Sequence, residues 1–117
     1  MGLVFWIDQN EIATKLFEKV FKERGLPFYT ISSVSDFSYL IADLNPELLV
    51  LDAETALKDL NRLKQQYEAT EGFQGKPVIL INALPGLEFI SNVIGEIKRP
   101  INPFQLPDQL NKMTIDL

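Results

Sequence analysis

The stretch Asn45-Pro46-Glu47-Leu48-Leu49-Val50-Leu51-Asp52 decides the fold. Asn-Pro is a turn signal that closes whatever precedes it. Leu48 to Leu51 is an unbroken apolar run, the pattern of a strand covered on both faces, as in a parallel sheet. It stops at a carboxylate. In an open α/β sheet ligands bind beyond the carboxyl ends of the strands, which puts Asp52 at the mouth of a site. The plainer alternative makes Asp52 a helix cap at a strand–helix junction.

Upstream, Leu3 to Ile7 is a second apolar run, and it too ends in a carboxylate, Asp8. Gln9 and Asn10 lead into a helix on which Ile12, Ala13, Leu16, Phe17, Val20 and Phe21 recur at helical spacing, with Phe17 and Phe21 as core. Gly25 and Pro27 stop it. Phe28 to Ser32 is a short strand. Ser33 or Ser35 caps the next helix, with Asp36 in its first turn and Phe37, Leu40, Ile41 and Leu44 along it. Downstream of Asp52, the residues Ala56, Leu57, Leu60, Leu63 and Tyr67 mark one helix, and the segment 70–76, with Gly72 and Gly75, reads as a loop. Val78 to Ile81 is a strand ending at Asn82. Leu87, Phe89, Ile90, Val93 and Ile94 suggest a short helix, and Glu96-Ile97-Lys98 a charged edge strand. Asn102 and Pro103 open a last helix with Phe104, Leu106 and Leu110 as its buried face. Five β-α alternations without repeats or linkers imply one doubly wound α/β domain spanning 1–117, a five-stranded parallel sheet of order 2-1-3-4-5.

Composition narrows the function. The 117 residues carry a net charge of −5, which argues against nucleic acid or an anionic membrane as partner. There is neither Cys nor His, so disulfides, thiolate metal sites and His-based nucleophilic or zinc chemistry are excluded. No apolar run reaches membrane-spanning length, and the first residues are too short for a signal peptide, so the cytoplasm is the expected location.

The chain resembles the receiver domain of two-component response regulators, of the chemotaxis type, over essentially its whole length. Asn45 to Asp52 looks like the segment that ends in the phosphoacceptor Asp. Arg99-Pro100-Ile101-Asn102-Pro103-Phe104-Gln105-Leu106 looks like the Lys-Pro-[Phe/Ile]-Asn-Pro-x-Glu-Leu stretch that opens the last helix. The resemblance implies phosphoryl transfer to a carboxylate. That chemistry uses a Mg²⁺ on an acidic pair after strand 1, the nucleophilic Asp, a Thr or Ser ending strand 4, and a Lys before a cis-Pro. An aromatic on strand 5 reports the state of the hydroxyl. Carried over, the acidic pair is Asp8 and Gln9, the phosphoacceptor is Asp52, the hydroxyl position is Asn82, the Lys position is Arg99 and the aromatic position is Glu96. A second alignment places Asn102-Pro103-Phe104 on Lys-Pro-Phe. Arg99 is preferred because it leaves Asn102-Pro103 as a helix start. In either alignment the Lys is absent.

These departures point to a degenerate, or pseudo-, receiver. An amide for a carboxylate at Gln9 removes a charge beside the ion and costs roughly ten- to a hundredfold in metal affinity. Asp8 and Asp52 therefore form a weak or lost Mg²⁺ site, and no cofactor is expected unless the phosphorylation site works. The Arg99 guanidinium matches a carboxylate bidentately. It is expected to bridge Asp52 or Asp8, with Glu54 nearby, and to fill the space of the metal and the phosphoryl group. Asn82 and Glu96 cannot reproduce the hydroxyl–aromatic switch. The expected function is a phosphorylation-independent interaction module, not an enzyme. Its expected partner is another signalling protein at the family's helix 4–strand 5–helix 5 face, remodelled here by a shortened fourth helix; a homodimer stays open. The alternatives are a working receiver phosphorylated on Asp52 by a histidine kinase, and an unrelated flavodoxin-like nucleotide binder or enzyme. The acidic turn Asp8-Gln9-Asn10-Glu11, where a phosphate loop would need bare backbone N–H groups, disfavours the last. Arg99-Pro100 is expected to be cis on the resemblance.

Overall fold

The computed structural model describes residues 2–35 and 37–115, so the expected role of Asp36 lies outside the described residues. Its elements run β1 (Val4–Ile7), α1 (Glu11–Glu23), β2 (Phe28–Ile31), α2 (Phe37–Leu44), β3 (Leu48–Asp52), α3 (Ala53–Leu57), α4 (Leu60–Ala69), α5 (Glu71–Gln74), β4 (Val78–Ile81), β5 (Val93–Ile97) and α6 (Leu106–Ile115). All strands are parallel, and the order is β2-β1-β3-β4-β5, as the alternation predicts. The three central strands read as apolar runs because helices cover both faces. Phe5, Ile7, Leu49, Leu51, Val78 and Leu80 point to one core with α2, α3 and α4. Val4, Trp6, Leu48, Val50, Ile79 and Ile81 point to the other, with α1 and α6. Val4 pairs with Leu48 and Ile7 with Leu51, so Asp8 and Asp52 leave the sheet side by side at its carboxyl edge.

Several local expectations are corrected. Asn10 caps α1 by accepting from Ala13 N–H, but Ile12 and Leu16 are 87% and 44% exposed. The buried face of α1 is Thr14, Phe17, Val20 and Phe21; at ~100° per residue Ile12 lies about 140° from Phe17. The helix after Asp52 is broken in two, because Asp59 leaves helical backbone at φ −143°, ψ 60°. The segment 70–76 is not all loop: α5 docks there with Phe73 fully buried.

The short helix expected over 87–94 does not form, and the shortened fourth helix is reduced to turns. Tyr67 and Asn92 explain this. The Tyr67 hydroxyl donates to Asn92 Oδ1 at 2.7 Å and accepts from Ser91 N–H at 3.1 Å. Asn92 Nδ2 in turn donates to the Phe73 and Lys76 carbonyls. The chain is thus pinned before Val93, and strand β5 begins there instead of at Glu96. Leu87 and Ile90 still fill the core, inserted from turns. Helix α6 starts at Leu106, so Pro107 sits in its first turn, where its missing N–H costs nothing. Phe104 lies in the preceding turn, 70% exposed instead of buried, with its N–H donating to Asn102 Oδ1.

Candidate functional site

Asp8, Asp52, Asn82 and Arg99 meet at the carboxyl edge of the sheet, around a cavity of about 390 Å³ that Gln9, Asn10, Glu54 and Leu84 also line. Asp8 is 1% exposed. Its Oδ1 accepts from Asn10 N–H at 3.0 Å, and its Oδ2 accepts from the Trp6 indole at 3.2 Å and from Arg99 Nη2 at 2.5 Å. Asp52 is 4% exposed. It caps α3: Oδ2 accepts from Thr55 N–H at 3.0 Å and from the Thr55 hydroxyl at 2.7 Å. The same hydroxyl accepts from Gln9 N–H, tying the turn after β1 to the turn after β3. Asp52 Oδ1 faces Arg99 Nη2 at 3.6 Å. The cap and the cation partner are therefore one residue, and both sequence alternatives for Asp52 describe part of its environment.

Arg99 spans the two carboxylates with its guanidinium, its side chain 25% exposed over an Asp8 side chain at 0%. Its reach is set by the backbone. The Arg99-Pro100 bond is cis, and Arg99 N–H donates to Asn82 Oδ1 at 2.9 Å. Asn82 holds φ +50°, a left-handed conformation that Asn tolerates better than most residues. Its side-chain oxygen is thus committed to the β5–α6 connection. Glu96 points outward, exposed, and its Oε2 accepts from Ala83 N–H at 2.7 Å. Glu96 is thus a strap on the loop after β4. Glu54 lines the cavity without pairing to Arg99. Gln9 Oε1 is buried with no hydrogen-bond partner.

Asn82→Ala removes the bond to Arg99 N–H and puts a strained residue in the left-handed region, so it should cost about 1–2 kcal/mol. Asn82→Gly keeps the backbone and should cost less. Urea unfolding of the two variants separates the contributions, and equal losses would contradict the strain argument.

Two residues of the site escaped the sequence reading. Trp6 precedes Asp8 by two in an extended strand, so both face the same side, and that period was the available signal. Thr55 follows Asp52 by three, the position whose N–H an N-cap side chain binds. Among the described residues no cluster of three acidic or other metal-ligating side chains occurs, and no helix is long and apolar enough to cross a membrane.

No protein-family model matches the chain, and no curated protein matches its sequence. Solved structures do match. A response regulator from Desulfuromonas acetoxidans aligns with a TM-score of 0.79 at 13% identity, covering 100% of this chain and 99% of that one. A CheY-like receiver domain protein from Methanospirillum hungatei aligns at 0.75 and 12% identity, covering 99% and 95%. An orphan response regulator of H. pylori aligns at 0.67 and 19% identity, covering 96% and 95%. At such identities the likeness speaks for the backbone alone, and the fold of this chain is that of a response-regulator receiver domain.

Proposed function

We propose that this chain is a receiver-like signalling module that works without aspartyl phosphorylation, a cytoplasmic interaction domain and not an enzyme. The observation that carries the reading is Arg99, whose guanidinium lies on both carboxylates that a receiver would use for metal and phosphoryl group. Mg²⁺ needs near-octahedral oxygen ligands at about 2.1 Å. Both oxygens of Asp8 and one oxygen of Asp52 already accept hydrogen bonds. The remaining oxygen of Asp52 faces a cation, and the second acidic ligand is the amide Gln9. This donor set does not fit the ion while Arg99 stays, so no chemical step is assigned to it.

The bonds that Asn82 and Glu96 make support the same reading. Asn82 and Glu96 each hold a loop by a hydrogen bond that needs no phosphoryl group. The surface they hold fixed is β5, the start of α6 and the turns over 83–92. That surface includes an apolar groove of about 380 Å³ lined by Leu80, Leu84, Pro85, Leu87, Ile90 and Val93, with Glu88 at its edge. A signalling partner would find there a permanent surface.

The competing reading is a working receiver, for which Asp52 Oδ1 is the oxygen left without a hydrogen bond. Amide NMR with Mg²⁺ and then beryllofluoride, an aspartyl-phosphate mimic, separates the two. The closed site predicts no specific shifts at Asp8, Asp52 or Asn82. Shifts there that vanish in Asp52→Asn would establish the working receiver instead. In Gln9→Asp/Arg99→Lys, which restores the acidic pair and the slimmer cation, Mg²⁺ should shift those amides.

A further inference from the structure

Helix α1 presents an outer face that its own chain leaves bare. Ile12 is 87% and Leu16 44% exposed, and Glu11, Lys15, Glu18, Lys19, Lys22 and Glu23 beside them are exposed too. Helices α1 and α6 share one side of the sheet, joined at their seam by the Arg24–Asp108 ion pair. Phe104, in the turn entering α6, and Ile115, at its end, are each 70% exposed. This layer thus carries four of the seven large exposed hydrophobics among the described residues.

The charges say what covers it. Three Glu and three Lys leave the α1 face neutral on a chain of net charge −5. Two copies of an acidic protein repel least where they meet through a neutral face. Along one edge of that face the residues run Glu11, Lys15, Glu18, Lys22, about one turn apart. An antiparallel copy reverses the order. Glu11 then faces Lys22 of the second copy and Lys15 faces Glu18 of the second copy, and a two-fold axis repeats both pairs. None of these four side chains forms an ion pair with another of the described residues. Alternating charge also supports a lone helix through pairs along its own surface, but that role gives no reason for Ile12 and Leu16 to stand in water.

We propose that α1 is the seam of an antiparallel, two-fold homodimer of this chain. Ile12 and Leu16 pack over the aliphatic stems of Glu23 and Lys19 of the second copy, with the Glu–Lys pairs as rim. A helix of 13 residues is about 20 Å long. A seam of that length lies at the small end of specific interfaces, so the dimer dissociates on the order of tens to hundreds of micromolar. The inference goes beyond the proposed function and does not depend on the Arg99 site being closed.

Sedimentation equilibrium of the protein up to about 1 mM, with Lys15→Glu, Glu18→Lys, their double variant and Ile12→Asp, tests it. Circular dichroism verifies that each variant is folded. The expected result is a dimer that each charge reversal weakens about tenfold, the double swap restores to within about threefold, and Ile12→Asp abolishes. A monomer at every concentration overturns the proposal. So does a dimer that ignores these substitutions, and so does a double variant no stronger than the single reversals, because rescue requires residues 15 and 18 to face each other across the seam.

Discussion

Arg99→Ala should lower the stability of the folded chain by about 3 kcal/mol, or roughly 10 °C in Tm, and Mg²⁺ should recover part of the loss. The Asp8 side chain is fully buried and Asp52 nearly so, and the guanidinium is the cation on both. Removing one partner of a buried pair leaves an uncompensated charge, at a cost of about 3–5 kcal/mol. The low end applies because Arg99 is itself 25% exposed and water can enter behind it. The same removal takes the cation off Asp8 Oδ2, which keeps only the Trp6 bond, and off Asp52 Oδ1, which accepts no hydrogen bond. A divalent cation then has a place to bind, and at ten times its dissociation constant it returns about 1.4 kcal/mol. The unsubstituted protein should show no such response. Thermal unfolding with and without Mg²⁺ reads both arms. A loss under 1 kcal/mol would mean that Arg99 is not what holds the site, and a Mg²⁺-dependent Tm in the unsubstituted protein would mean that the site is open.

Phe73→Ala should cost about 4 kcal/mol, measured by urea unfolding. Phe73 is fully buried, edge-on to Phe37 at 4.5 Å and to Tyr67 at 4.7 Å between ring centroids. Truncation leaves a cavity worth about 3–5 kcal/mol and forfeits two aromatic contacts of roughly 0.5–1.5 kcal/mol each, already partly counted in that range. It also loosens the anchor of β5, because Asn92 Nδ2 donates to the Phe73 carbonyl. Phe73→Leu should lose less than half as much. A cost under about 1.5 kcal/mol for Phe73→Ala would show that the segment after α4 is not docked on α2 and α4.

That segment shows where sequence reading stops. Gly72 and Gly75 read as a loop because glycine weakens a helix. The reason for Gly72 is different: a Cβ there would come within 2.9 Å of Ile41 Cγ2 on α2. The glycine permits close packing between helices, and nothing local announces it. Helical spacing likewise set Ile12 and Leu16 among the core residues of α1, although only the placement of β1, β2 and α6 decides how wide a face that helix can bury. Phe104 followed the motif of the last helix, but the helix begins two residues later.

By itself the sequence determined the alternation of strands and helices and the strand order. The resemblance it carries also set two strand-end carboxylates, Asp8 and Asp52, beside a cation, Arg99, 91 residues beyond the first and 47 beyond the second. Periodicity and turn chemistry are local, and a doubly wound sheet brings the ends of β1 and β3 together whatever the loops do. The tertiary structure alone decided which oxygen meets which donor: Trp6 and Arg99 on one oxygen of Asp8, Thr55 on one oxygen of Asp52, and the Arg99 backbone N–H on Asn82 Oδ1. It also decided that residues 83–92 run as turns, because Tyr67 and Asn92 compete there with a weak helical pattern and win. Contacts between residues far apart in the chain settle whatever local preference leaves nearly balanced.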